Sequence, residues 1–357
     1  MSDLNQPAFS RRALGTALPG LTGLLLAVIA ACGGGGGPSL PACRTGTVTA
    51  SPTPRAEASL TLKVGSYEGT GSPQCIKGVG LDPVVVIVKG DTSELAVWRS
   101  RSMEGDSSAD FANGQPNIID AITSLDPDSF SLGRDPTVNA EGVKYYYVAF
   151  ADSPDMKVGS YEGDGAEQRS VDGVGFKPAL VFLKWDGLRS AVWRSTTQPE
   201  GLSSFFHGET DKPGFIRSFG PDGFQIGADP FVNYFDASRQ EGGVYHYVAF
   251  RDVPGRLQIG TYIGDGGDDR DVTGIGFQPD YVWIKRSSAE SSSAESAAVH
   301  RASSLAGDAT LRFGNQANGS DEIQALLPDG LQVGADPAVN FDGDTYYYVA
   351  FKASSGP

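Results

Sequence analysis

The chain has 357 residues, including 47 Gly and 22 Pro, a formal net charge of −15 and three cysteines. That length suits two or three domains, and the Gly, Pro, Tyr and Phe content suits short strands joined by turns. The acidic balance excludes a basic phosphate-binding face and hence a nucleic-acid partner. Cys32, Cys43 and Cys75, with no CxxC pair or His/Cys cluster, argue against a structural zinc site.

Residues 1–31 read as an export signal. Arg11 and Arg12 precede the apolar stretch "LTGLLLAVIAAC", which is too short to span a bilayer comfortably. Its end, Val28-Ile29-Ala30-Ala31-Cys32, resembles a bacterial lipobox, which implies that Cys32 is diacylated and becomes the new N-terminus. Ser10-Arg11-Arg12-Ala13-Leu14 is similar to a twin-arginine export motif, with Gly15 departing from it, so that route and the general secretory route both stand open. By resemblance to lipoprotein sorting, Gly33 directs the protein to the outer membrane of a Gram-negative cell.

Residues 32–60 are rich in Gly, Pro, Ser, Thr and Ala and read as a flexible tether. The membrane partner is engaged through acyl chains on Cys32, because so acidic a chain is not held by anionic headgroups. With Cys32 acylated, Cys43 and Cys75 form an even pair in an oxidising compartment, and a disulfide between them is expected.

Beyond the tether the same phrases return in fixed order. "KVGSYEGTG" at Lys63 recurs as "KVGSYEGDG" at Lys157 and "QIGTYIGDG" at Gln258, and "YYYVAF" at Tyr145 recurs as "YHYVAF" at Tyr245 and "YYYVAF" at Tyr346. Three β units are therefore expected over 61–154, 155–255 and 256–357. "VVVIVK", "LVFLK" and "YVWIK" are strand-length β-branched and aromatic runs, each launched by a proline.

"GPDG" (Gly220 to Gly223) and "LPDG" (Leu327 to Gly330) are hairpin turns. The first unit has Ser129 in place of that glycine, which predicts a strained turn. The repeated Asp-Pro-x-Val-Asn phrase places Asp135, Asp229 and Asp336 to accept backbone N–H groups, with Asn139, Asn233 and Asn340 doing the same. This structural reading is preferred to a calcium site.

The expected fold is all-β: three tandem antiparallel β-sandwich-like repeats, as separate small sandwiches or packed pseudo-symmetrically into one body. The combination GxGFxPDxVWIK, DGFxxG, VN and YVAF resembles a repeat domain of bacteriophage tail fibres, tail-associated proteins and some bacterial surface proteins. It is clearest in "GIGFQPDYVWIK" and spans roughly residues 62–352; the first unit departs from it at Leu81. The resemblance implies a β-rich module in adhesive or fibre-like assemblies and brings no catalytic residues.

The residues themselves offer little chemistry. His207, His246 and His300 do not recur at one place in all three units, so no unit-level histidine catalysis is expected. Gly105-Asp106-Ser107 faintly resembles an esterase motif but has no histidine in its unit, and the acidic "GDGGDDRD" fails the spacing of a calcium loop.

One recurring candidate contact is an aromatic followed by arginine: Trp98–Arg99, Trp193–Arg194 and His300–Arg301. Such a pair stacks on and hydrogen-bonds a sugar if exposed, and is core plus surface if not. Lys89, Lys184 and Lys285 are expected to snorkel at sheet ends.

These readings favour a lipid-anchored, non-catalytic surface protein for adhesion or surface-structure attachment, with no cofactor and no metal. The alternatives are a carbohydrate-binding protein using the aromatic–arginine pairs, and a glycan-active enzyme.

Overall fold

The computed structural model describes residues 59–287 and 297–353. The export signal, Cys32, Cys43 and the tether up to residue 58 lie outside the described residues, so the expectations placed on them are not addressed by the fold.

Within the compact unit Leu40–Pro357, three larger antiparallel sheets are built in matching order. The first runs Leu62–Glu68, Lys144–Ala151, Pro83–Gly90, Val97–Ser100, Ala109–Asp110. The second runs Met156–Glu162, Val244–Phe250, Leu180–Trp185, Val192–Ser195, Leu202–Phe205, with Lys212–Pro213 added at its edge. The third runs Leu257–Ile263, Thr345–Phe351, Tyr281–Ser287, Val299–Ala302, Leu311–Arg312. The stretches carrying them are called here the first, second and third segments.

A three-stranded sheet accompanies each; in the first segment it is Gln74–Lys77, Ser129–Leu132 and Ile122–Asp126. The expected all-β, antiparallel, sandwich-like fold is what the chain adopts.

The last long strand of each segment is buried on both faces, which explains its unbroken apolar run. Tyr145, Tyr147 and Ala149 point to a local cluster with Phe130 and Leu132, whereas Val148 and Phe150 point to a cluster that draws on all three segments. In that common core the rings of Phe150, Phe250 and Phe351 lie 5.3–5.4 Å apart, and those of Phe111, Phe206 and Phe313 lie 4.8 Å apart.

Of the two arrangements left open, the segments take the one packed into a single body. Each segment keeps a local core, but its second apolar face is covered only by its two neighbours. The seams repeat one hydrogen bond around a closed ring: Ala191 N–H to Phe111 O (3.1 Å), Ala298 N–H to Phe206 O (2.9 Å), and Ala96 N–H to Phe313 O (3.1 Å).

The chain enters this body beside the Phe150 trio, since Ala151 N–H donates to Thr61 O. The opposite strand ends, at Glu68 and Lys144, Glu162 and Val244, and Ile263 and Thr345, form the far rim.

The Asp-Pro phrases fold as one-turn helices, Pro136–Asn139, Pro230–Asn233 and Pro337–Asn340. Proline at the first position needs no N–H partner, and the preceding aspartate caps the turn by accepting from Thr137, Phe231 or Ala338 N–H at 2.7–2.9 Å. The buried asparagines accept from Thr70, Asp164 and Asp265 N–H at 2.8–3.0 Å, tying each turn to its segment's first strand.

Candidate functional site

The aromatic–arginine pairs are not surface contacts. Trp98, Trp193 and His300 are buried in the common core, and Arg99, Arg194 and Arg301 are buried on the other face of the same strands. Each guanidinium gathers the carbonyls of the loop that follows it. Arg99 donates to Gly105 O (2.6 Å) and Ser107 O, Arg194 to Pro199 O (2.8 Å) and Leu202 O, and Arg301 to Ala309 O and Gly307 O.

The core reading therefore holds for the three aromatics, but the arginines expected at the surface are buried as well, bound to loop carbonyls. Their pattern misleads because an alternating strand presents the same letters whether its second face meets solvent or a neighbouring segment.

The lysines are corrected too. Lys89, Lys184 and Lys285 are buried and donate to carbonyls rather than reaching water. Lys184 Nζ reaches Gln115 O (2.8 Å) in the first segment, and Lys285 Nζ reaches Glu209 O (3.3 Å) in the second, so both cross seams. Burial lowers all three, Lys89 and Lys285 to about 8.

Burial shifts two of the histidines. Burial holds His300 down to about 3 with neither ring nitrogen partnered, and His207 down to about 4 with its Nδ1 unpaired. His246 differs. It occupies the position that is Tyr146 in the first segment and Tyr347 in the third, on the core-facing side of its strand where the first segment meets it.

Its Nδ1 lies 2.9 Å from Ser102 Oγ, and its Nε2 lies 3.1 Å from Asp186 Oδ1. Ser102 Oγ is also 2.7 Å from the buried Ser100 Oγ, and Asp186 Oδ1 accepts from Asn117 Nδ2 at 2.7 Å. Asp186 can only accept, so in the neutral tautomer that suits both contacts Nε2 carries the hydrogen and Nδ1 accepts from the serine hydroxyl.

Local structure explains the placement. Ser102 lies half-buried in the turn leaving Val97–Ser100, and Asp186 directly follows Leu180–Trp185, with its N–H bonded to Val244 O (2.9 Å) beside His246. The two carboxyl and imidazole groups thus come from paired strands of one segment, and the hydroxyl from the next. Ser107, the serine of the Gly-Asp-Ser motif, donates to Glu104 O and has no histidine.

At equivalent places the other seams hold different chemistry. Tyr347 donates to Ser287 Oγ (3.0 Å), which donates to Asp211 (2.9 Å), while Tyr146 packs with Leu305 and Leu311 and Ser304 donates to Gly65 O.

Of the exposed large apolar side chains, Ile119 is 68% exposed in the loop before Ile122–Asp126, and others stand near the far-rim strand ends. Leu188 is 60% exposed after Leu180–Trp185, Ile263 is 54% exposed at the end of its strand, and Phe341 is 49% exposed beneath the Arg286 guanidinium at 4.5 Å. Among the described residues no cluster of three or more metal-ligating side chains occurs, and no helix is long and apolar enough to cross a membrane.

A sequence family described as a domain of unknown function (DUF7483) matches residues 256–357, which is the third segment. No curated protein matches the chain.

Proposed function

We propose that the protein is a surface lipoprotein, anchored in the outer membrane through acyl chains on Cys32, that displays tail-fibre-like β segments for adhesion or attachment within a surface structure. This role needs no cofactor and no catalysis. The observation that supports it best is the distribution of exposed apolar side chains: Leu188, Ile263 and Phe341 lie at the rim opposite the end where the chain enters from the tether. A tethered body turns that rim outward, and apolar side chains left in water there are the kind of surface that binds a partner.

Cells displaying the full chain should lose adhesion when Leu188→Asp and Phe341→Asp are combined, with the amount of protein at the surface unchanged. Cys32→Ser should release the protein or leave an unlipidated precursor, because the acyl chains supply the membrane affinity. Undiminished adhesion in the double variant, or a Cys32→Ser chain that still labels with fatty acid, would count against the proposal.

A further inference from the structure

The geometry points to Ser102 as an activated nucleophile for acyl transfer, with His246 as its base and Asp186 as the positioning group. This goes beyond adhesive display and does not rest on it. Three requirements of nucleophilic serine chemistry meet at one seam: a hydroxyl within hydrogen-bond reach of an imidazole nitrogen, a carboxylate beside the other nitrogen, and a serine that is not fully enclosed. The distances are 2.9 and 3.1 Å, the imidazole is buried between segments, and Ser102 stands half-buried at the turn.

Structural economy alone does not call for this set. Tyrosine fills the histidine's position in both other segments, and the chain folds around it there. Ser195 and Thr197 repeat the Ser100–Ser102 pair at 3.0 Å, and Asp91 repeats Asp186 by accepting from Asn318 at 3.1 Å. Each of the other seams thus repeats one half of the set, and among the described residues the seam with His246 is the one that brings hydroxyl, imidazole and carboxylate together.

The substrate class is a carboxylic ester. Ser102 Oγ adds to the carbonyl carbon as its proton passes to His246 Nδ1. The ester C–O bond breaks, the departing alkoxide takes that proton, and the acyl group remains on Ser102. Water repeats the exchange and releases the acid. Met103 N–H, the next backbone donor along the chain from Ser102, is engaged with Ser100 O at 3.1 Å and so is not free for an oxyanion, which predicts slow turnover. Acylation, not turnover, is the sensitive readout.

The full chain is incubated with a fluorophosphonate, and the adduct is mapped by peptide mass spectrometry. One adduct is expected, on Ser102, absent from Ser102→Ala. His246→Tyr installs the residue that the other segments use, so the seam keeps its packing, and labelling should fall ~100-fold or more with the loss of the base. Asp186→Asn should slow labelling and Asp186→Glu should restore much of it, a rescue that lost packing alone would not produce. No adduct on Ser102, or an equal rate in folded His246→Tyr, overturns the assignment.

Discussion

Glu322 is a carboxyl whose chemistry departs far from its letter. It is fully buried, its Oε1 meets Arg312, and its Oε2 has no partner. Burial raises it from the usual 4.5 to about 7, more than Arg312 lowers it. A carboxyl that holds its proton more tightly when folded stabilises the fold below the unfolded value, and that stability drains away as pH rises towards 7 and stays low above it.

Glu322→Gln keeps an acceptor for Arg312 and cannot ionise. It should match the parent near pH 4.5 and be the more stable by up to ~3 kcal/mol at pH 8. Denaturant titrations at the two pH values test this; equal stabilities at pH 8 would show that the ion pair outweighs desolvation. Nothing in "DEIQ" advertises such a site, because burial of one glutamate depends on which loop closes over it. His246 was legible in another way: in a chain that repeats itself, a single departure from "YYYVAF" is a local signal, and requiring recurrence in every segment passed over it.

At the scale of elements the sequence is a good guide where chemistry is local. The Pro-Asp-Gly hairpins form as read, and their aspartates do a second job that spacing alone did not disclose. Asp128, Asp222 and Asp329 accept from Gly80, Gly175 and Gly276 N–H at 2.6 Å, pinning each glycine-rich loop to a hairpin 47 to 53 residues away. At Gly330 the hairpin glycine is not in the left-handed region expected of it, and in the first segment, where Ser129 stands instead, it is Asp128 that takes a left-handed φ of 53°, a conformation aspartate tolerates.

The tether should be fixed to this same region. Cys75 stands on Gln74–Lys77 opposite Ser131 and is not a free thiol; on the proposed lipidation of Cys32, Cys43 is the cysteine left to pair with it. A Cys43–Cys75 disulfide would stabilise the first segment by ~3–4 kcal/mol on the chain-entropy account. Non-reducing peptide mapping of the mature protein should find that linked pair; two free thiols, or a 43–43 cross-link between chains, would exclude it.

The whole molecule was the least legible level, because residue patterns report that a face is apolar and not what covers it. Trp98, Trp193 and Trp283 share one core although the third lies on the neighbouring strand, Trp283 standing opposite His300 where Ile87 and Phe182 stand opposite the other two. Bulk has moved across the ladder with the pair's combined size roughly kept, the kind of exchange that a close-packed centre tolerates. That centre also decides what one segment can do alone.

Residues 256–357 contain their own local cluster around Tyr346, Val333 and Leu331, enough for strands to form. Cut from the chain, the fragment uncovers Trp283, Phe313 and Phe351 at once, an apolar face that no compact monomer keeps in water. It also holds both halves of a seam, the Ala298 N–H and the Phe313 carbonyl, so successive copies can join head to tail and close at three as the segments do.

The fragment is expected to be β-rich by circular dichroism, to run in sedimentation equilibrium at three times its chain mass, and to fall to a dye-binding, easily melted monomer when Phe351→Asp charges the trio. A cooperative monomer as stable as the parent chain would mean that the local core is sufficient and that the ring adds only arrangement.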